Sequence, residues 1–252
     1  MARSADWAGE TPTVSRDNGR RGRRGASAPM PVADLIGWRA ITALGDSAVL
    51  LPCIVLITLW LAIPVATRWL AWRWLWVALA VMGLVAVSKL AFMGWLVSLP
   101  TLDFTGLSGH STMAALVWPS LGALLWRRHN ARWQALGMLL GMTLALVIAW
   151  SRLVLHDHSV SEVVLGVLLG AGTSLAFVYR YRARWKLPER VLVAVLSMLL
   201  VLPLVYGDRF PSQGLLKLTA RALSGHPAYR RQDLQRSRQA QDPADARGLR
   251  MR

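Results

Sequence analysis

Two short polar stretches interrupt an otherwise apolar chain, and their side chains are of the kinds that grip and attack phosphorus. The first reads Thr105-Gly106-Leu107-Ser108-Gly109-His110-Ser111; the second runs from Ser151-Arg152 through His156-Asp157-His158 to Glu162. His158 and Glu162 stand four residues apart, so they share a face of any helix that starts near His158. A carboxylate bonded to one imidazole nitrogen fixes the tautomer and leaves the other nitrogen free to attack. Arg152 offers a planar fork of donors matched to phosphate oxygens. Ser108-Gly109 precedes a helix start, where unpaired backbone N–H groups and the helix dipole favour an anion. His110, at that start, can protonate a leaving alkoxide. Lys89 lies deep in an apolar segment near the same face and needs a counterion, which a bound phosphate supplies.

The elements that carry these residues are long apolar runs. Hydrophobic residues make up 54% of the 252, and they come in blocks rather than stripes. Blocks of about 18 or more apolar residues read as transmembrane helices. Six segments fit that reading or approach it, at 48–66, 74–97, 112–126, 134–150, 162–179 and 191–206. Tryptophans at 60, 69, 72, 74, 95, 126, 133, 150 and 185 cluster near their ends, as an interfacial belt does. The expected fold is all-α, a polytopic transmembrane bundle of about six spans occupying residues 32–206. A basic leader at 1–31 reads as disordered, and a polar, Arg-rich tail follows from 207 to 252. Within that tail 215–223 reads as a short amphipathic helix lying on the membrane.

Charge orients the bundle. The chain carries 29 basic and 13 acidic residues, a net of +16. Arginines crowd the short loops 67–73, 127–133 and 180–190, while 98–111 and 151–161 are near neutral. The positive-inside rule puts the basic loops in the cytoplasm and both polar stretches on the external face of the cytoplasmic membrane. Six spans then also leave both tails outside, although residues 207–252 hold ten basic and four acidic residues. Anionic headgroups, rather than nucleic acid, are the expected partners of these arginines. Cys53 is the sole cysteine, which excludes an internal disulfide.

This pattern resembles the type 2 phosphatidic acid phosphatase superfamily, whose motifs are Lys-x6-Arg-Pro, Pro-Ser-Gly-His and Ser-Arg-x5-His-x3-Asp. The third is matched by Ser151-Arg152, five residues, His158, three residues and then Glu162 in place of Asp. The second is Leu107-Ser108-Gly109-His110, without its proline, and the first keeps Lys89 but has Leu96-Val97 for Arg-Pro. The resemblance implies that His158 is a nucleophile forming a phosphohistidine, oriented by Glu162, and that His110 protonates the leaving group. It implies phosphate binding by Lys89, Ser108, Gly109 and Arg152, a lipid phosphate substrate, and no metal or other cofactor.

Other readings compete residue by residue. A Ser-Gly-His at a helix start is by itself an ordinary cap, and a lone lysine near a span end commonly snorkels. His156, Asp157, His158 and His110 could together hold a metal, although the adjoining arginine favours an anion. A transporter, or a catalytically impaired relative that only binds lipid phosphate, is the alternative to an enzyme.

Overall fold

The computed structural model describes residues 32–98, 103–126, 130–181, 196–197, 200, 212–229 and 232–233. The chain divides into Met1–Pro31 and Val32–Arg252, and the fold below is that of the second unit. The expected leader lies outside the described residues, and so does the segment at 191–206 apart from residues 196–197 and 200.

Among the described residues the helices with defined limits are α1 (Val32–Ala43), α2 (Ser47–Ala62), α3 (Arg68–Trp95), α4 (Gly109–Leu125), α5 (Ala131–Val154), α6 (Val160–Tyr181) and α7 (Ser212–Ser224). The described residues contain no strand, so the fold is all-α. Leu35–Ala62, Val65–Trp95, Ala131–Val154 and Val160–Tyr181 are long and apolar enough to cross a bilayer. This is a membrane protein.

The helix limits depart from the apolar runs for identifiable reasons. Pro64 cannot continue α2, which stops at Ala62 and hands over to a 3-10 turn at Val65–Thr67. α3 begins at Arg68, six residues before the apolar run, because its two arginines find partners: Arg68 Nε donates to the Ala62 carbonyl at 3.3 Å, and Arg73 meets aromatic rings. The Arg73 guanidinium lies 5.1 Å from the Trp69 ring centre and 5.6 Å from that of Tyr181, and it donates to the Tyr181 hydroxyl at 2.6 Å. α5 runs on to Val154, so Ser151 and Arg152 belong to its last turn rather than to a loop. The tryptophans also divide: Trp72, Trp95, Trp133 and Trp150 are exposed as a belt requires, but Trp60 and Trp74 are core residues. Trp74 spends its indole N–H on the Ile54 carbonyl, 3.3 Å away in α2.

The shortest of the expected apolar runs, 112–126, lies in the spine of the bundle. α4 has 17 residues, 12 of them buried, and packs most extensively on α5 and α6. A helix sheathed on most sides needs less apolar length than one that meets lipid. Its neighbours approach so closely that glycine is required: a Cβ on Gly137 would run into the Gly122 carbonyl, and one on Gly170 into that of Thr112. Within a bilayer, association rests on such small-residue contact and on interhelical hydrogen bonds, here Ser120 to Ser174 at 2.8 Å.

The start of α2, the end of α3, the start of α4, the end of α5 and the start of α6 meet at one end. Contacts between Arg152 and Thr42, His110 and Asp46, and Thr105 and Glu162 join them there. α1 lies at that end through Thr42. So does α7: Ser212 Oγ is 3.4 Å from Ser47 Oγ, and the Tyr229 N–H donates to the Met93 carbonyl at 2.9 Å. The amphipathic helix expected at 215–223 therefore exists, but it lies against the bundle, on α3, rather than on lipid alone.

Gly137→Val should lower the thermal midpoint in detergent, since a side chain there must part α4 from α5 at a cost of roughly 1–3 kcal/mol or more. Gly172→Ala, with nothing within 4 Å of its added Cβ, should leave the midpoint unchanged or raise it. Equal midpoints for Gly137→Val and wild type would show that this contact does not limit packing.

Candidate active site

The site is organised around the Glu162 carboxylate in the first turn of α6, with 1% of its side chain exposed. Oε2 accepts from His158 Nδ1 at 2.7 Å and from the Ser159 N–H at 3.3 Å. Oε1 accepts from the Thr105 N–H at 2.8 Å and also from the Thr105 hydroxyl. The Glu162 backbone carbonyl takes the Ser108 N–H at 3.2 Å. One residue thus ties the two polar stretches together, and a buried carboxylate demands this many donors.

An ionised carboxylate can only accept, so the shared proton belongs on His158 Nδ1 and Nε2 keeps its lone pair. Burial pushes this imidazole below its ordinary value of 6.5. The charges of Lys89 and Arg152 push the same way, while the Glu162 bond and charge oppose them. At neutral pH His158 is an uncharged base with one nitrogen unengaged by Glu162.

The turn that aims it follows from how α5 ends. The His156 N–H returns to the Leu153 carbonyl at 3.0 Å and the Asp157 N–H to the Arg152 carbonyl at 3.1 Å. His156 takes a left-handed conformation, φ 56°, and its side chain is exposed. The reversal brings Asp157 back onto Arg152, with Oδ2 2.9 Å from Nη1; the same Nη1 donates to Thr42 Oγ1 at 3.1 Å. Arg152 Nε is buried with no hydrogen-bond partner. Two contacts through Nη1 fix the guanidinium, and the buried Nε donor remains for a ligand.

Lys89 is set by glycines. Gly106 (φ 139°) crosses α3 so closely that a Cβ would stand 3.3 Å from Lys89 Cα. Only glycine combines that φ with that approach. The Leu107 N–H donates to Ser88 Oγ at 3.1 Å and staples the loop to α3. A Cβ on Gly109 would be 3.8 Å from Lys89 Nζ, so the ammonium lies at the N-terminus of α4. There the first-turn N–H groups, including those of Gly109 and His110, have no intrahelical acceptor. Ser108 differs from its expected surroundings: it is fully buried, its hydroxyl is 2.9 Å from that of Ser111, and its N–H is committed to Glu162.

Two contributors escape the sequence pattern. Asp46 caps α2 by accepting the Ala48 N–H on Oδ1 at 2.9 Å, and its Oδ2 stands 3.5 Å from His110 Nε2. The Gly-Asp-Ser run signals a helix cap, but nothing local reveals the second oxygen's partner. Thr105 reads as loop and is instead a double donor to Glu162. Leu96, where the first motif has arginine, is the left-handed cap of α3 at φ 54°. Among the described residues no three His, Cys, Asp or Glu side chains gather as a metal-binding group.

One end of the bundle thus gathers an ammonium, a guanidinium, a helix N-terminus and two imidazoles. A protein of Klebsiella pneumoniae, described as "Uncharacterized 22.5 kDa protein in cps region", is 38% identical over 193 residues, which are 75% of this chain and 92% of that one. No solved structure gives a significant match. The model of the PAP2 superfamily matches residues 89–186. That match opens on Lys89 and runs beyond Glu162 through both polar stretches: the chain belongs to the PAP2 superfamily, whose members are generally phosphatases.

Proposed function

We propose that this protein is an integral-membrane lipid phosphatase that cleaves a phosphomonoester or pyrophosphate through a phosphohistidine on His158. The observation that carries this is the 2.7 Å bond from His158 Nδ1 to Glu162, beside an Arg152 Nε donor that nothing satisfies. Lys89, Arg152 Nε and the first-turn N–H groups of Gly109 and His110 hold the non-bridging oxygens. The His158 Nε2 lone pair attacks phosphorus, the bond to the leaving oxygen breaks, and protonated His110 gives that oxygen its proton. A water then attacks the phosphohistidine and yields its proton to His110. The N–P bond breaks, inorganic phosphate leaves, and both histidines are restored. Asp46 positions His110, and Ser108 holds the loop under the phosphate.

Phosphate release from a panel of lipid phosphates by the purified protein tests this directly. Turnover should survive EDTA, because side-chain and backbone donors supply the positive charge, and vanadate should block it. His158→Ala should cut turnover about a thousandfold or more, as loss of a covalent nucleophile does. His156→Ala, at an exposed position, should cost far less. Loss on chelation with rescue by zinc would overturn the metal-free scheme. Binding of lipid phosphates with no release would instead mark an impaired relative.

The pH profile identifies the base. Protonation of Nε2 removes the nucleophile, so the acidic limb of kcat/KM should lie below 6.5, in line with the lowered His158 value. Glu162 favours the protonated imidazole. Glu162→Gln removes that influence and should move the limb to still lower pH while slowing turnover. A limb that stays put or rises would mean another group titrates.

We place the site on the external face of the cytoplasmic membrane, because basic residues gather at the opposite end and lipid phosphates present their headgroups at this level. In a Cys53→Ser background, Val160→Cys, at a 64% exposed position by the site, should react with an impermeant maleimide in intact spheroplasts. Arg132→Cys, at the other end, should not. The reverse labelling would invert the topology.

A further inference from the structure

A chamber of about 550 Å³ adjoins the phosphate pocket, between the α1–α2 turn, α3, the start of α4 and α7. Asp46, Lys89 and His110 line one part of it. Most of the remaining wall is hydrocarbon: Met82 and Val85 from α3, Met113 from α4, Leu215 and Leu216 from α7. From Lys89 back to Met82 is seven residues of α3, about 10 Å at helical rise. The chamber therefore extends from the charged residues toward the middle of a membrane-spanning helix.

α7 closes this space from outside. Its first residue meets the start of α2 at Ser47, and Ser224 lies beside Gly94 near the end of α3, so the helix crosses the mouth between the two. Ser212, Leu216, Ala220 and Ser224 are less exposed than their neighbours at four-residue spacing, the inward face of an amphipathic helix. Leu215, 51% exposed, borders the chamber instead of the core.

We propose that the chamber holds the hydrocarbon chain of the lipid whose phosphate sits at Lys89, and that α7 is the outer wall selecting which chains fit. This rests on the lipid phosphatase reading above. A soluble phosphoester would meet the charged end and leave the apolar wall uncovered, whereas an amphiphile with an anionic head matches both. Of the exposed leucines on α7, Leu215 is the one that borders the chamber, where an entering chain would cover it.

The test compares substrates on the full-length protein in liposomes. Leu215→Trp and Thr219→Trp put bulk into the chamber from exposed positions, where the fold tolerates it. The ratio of kcat/KM for dioleoyl phosphatidate to that for glycerol 3-phosphate should fall at least about tenfold in each. A ratio held within about twofold overturns the proposal, whether both rates fall together or neither does. A phosphatidate bearing a diazirine in mid-chain supplies a readout independent of turnover. Crosslinks on Met113 and on 215–219, displaced by unlabelled phosphatidate, support the chamber even if no lipid phosphate is hydrolysed; in that case the phosphatase reading alone fails. Crosslinks confined to lipid-facing positions such as Leu139 and Leu168 overturn it.

Discussion

A single buried carboxylate governs this site. Glu162 is enclosed by protein, where an isolated negative charge is untenable, and it survives because Thr105, His158 and Ser159 all donate to it. Each donor gains something different from the contact. His158 receives its tautomer, Ser159 fixes the first turn of α6, and Thr105 brings in the loop that leads to α4. Removing one partner of such a buried charged set costs on the order of 3–5 kcal/mol, more than any exposed ion pair at the site could return. The family pattern has aspartate at this position. The extra methylene of glutamate lengthens the arm that holds Thr105 and His158 on separate oxygens.

The carboxylate can act so because α4 is rigidly seated. Its backbone lies against α5 and α6 at glycine contacts, so the N-terminal turn that presents Gly109 and His110 cannot shift without parting helices. The loop before it is pinned twice more, to Ser88 by Leu107 and to Lys89 by the close crossing of Gly106. Preorganisation of the anion pocket is thus inherited from helix packing. The energy that holds the donors in place is spent during folding and not when substrate arrives.

What the sequence discloses follows sequence distance. The Ser-Arg and His-x3-Glu spacing is local, and a helical repeat carries it directly into the observed His158–Glu162 bond. The Ser108-Gly109-His110 helix start is equally local. The Asp46–His110 and Arg152–Thr42 pairs join residues 64 and 110 positions apart, and no periodicity encodes them. Hydropathy found α2 to α6 but not α1, and it misjudged the start of α3, where Arg73 is neutralised by Trp69 and Tyr181. It also made α4 look too short for its role, because a helix covered by protein need not match the thickness of lipid. Amphipathicity located α7, but a moment does not say whether its apolar face meets a bilayer or another helix.

The replacement of Arg-Pro by Leu96-Val97 acquires a physical meaning beside the chamber. With arginine absent there, Lys89 and Arg152 supply the site's permanent positive charge, and Arg152 is already shared with Asp157. Charge alone then discriminates weakly between a lipid phosphate and other phosphate-bearing solutes. Apolar contact can make up the difference, at about 25 cal/mol for each Å² of chain removed from water. Under the proposed lipid phosphatase activity, the expense of recognition moves from the headgroup to the tail. A cavity that begins at Lys89 and runs along Met82, Met113 and Leu215 is the geometry that shift requires.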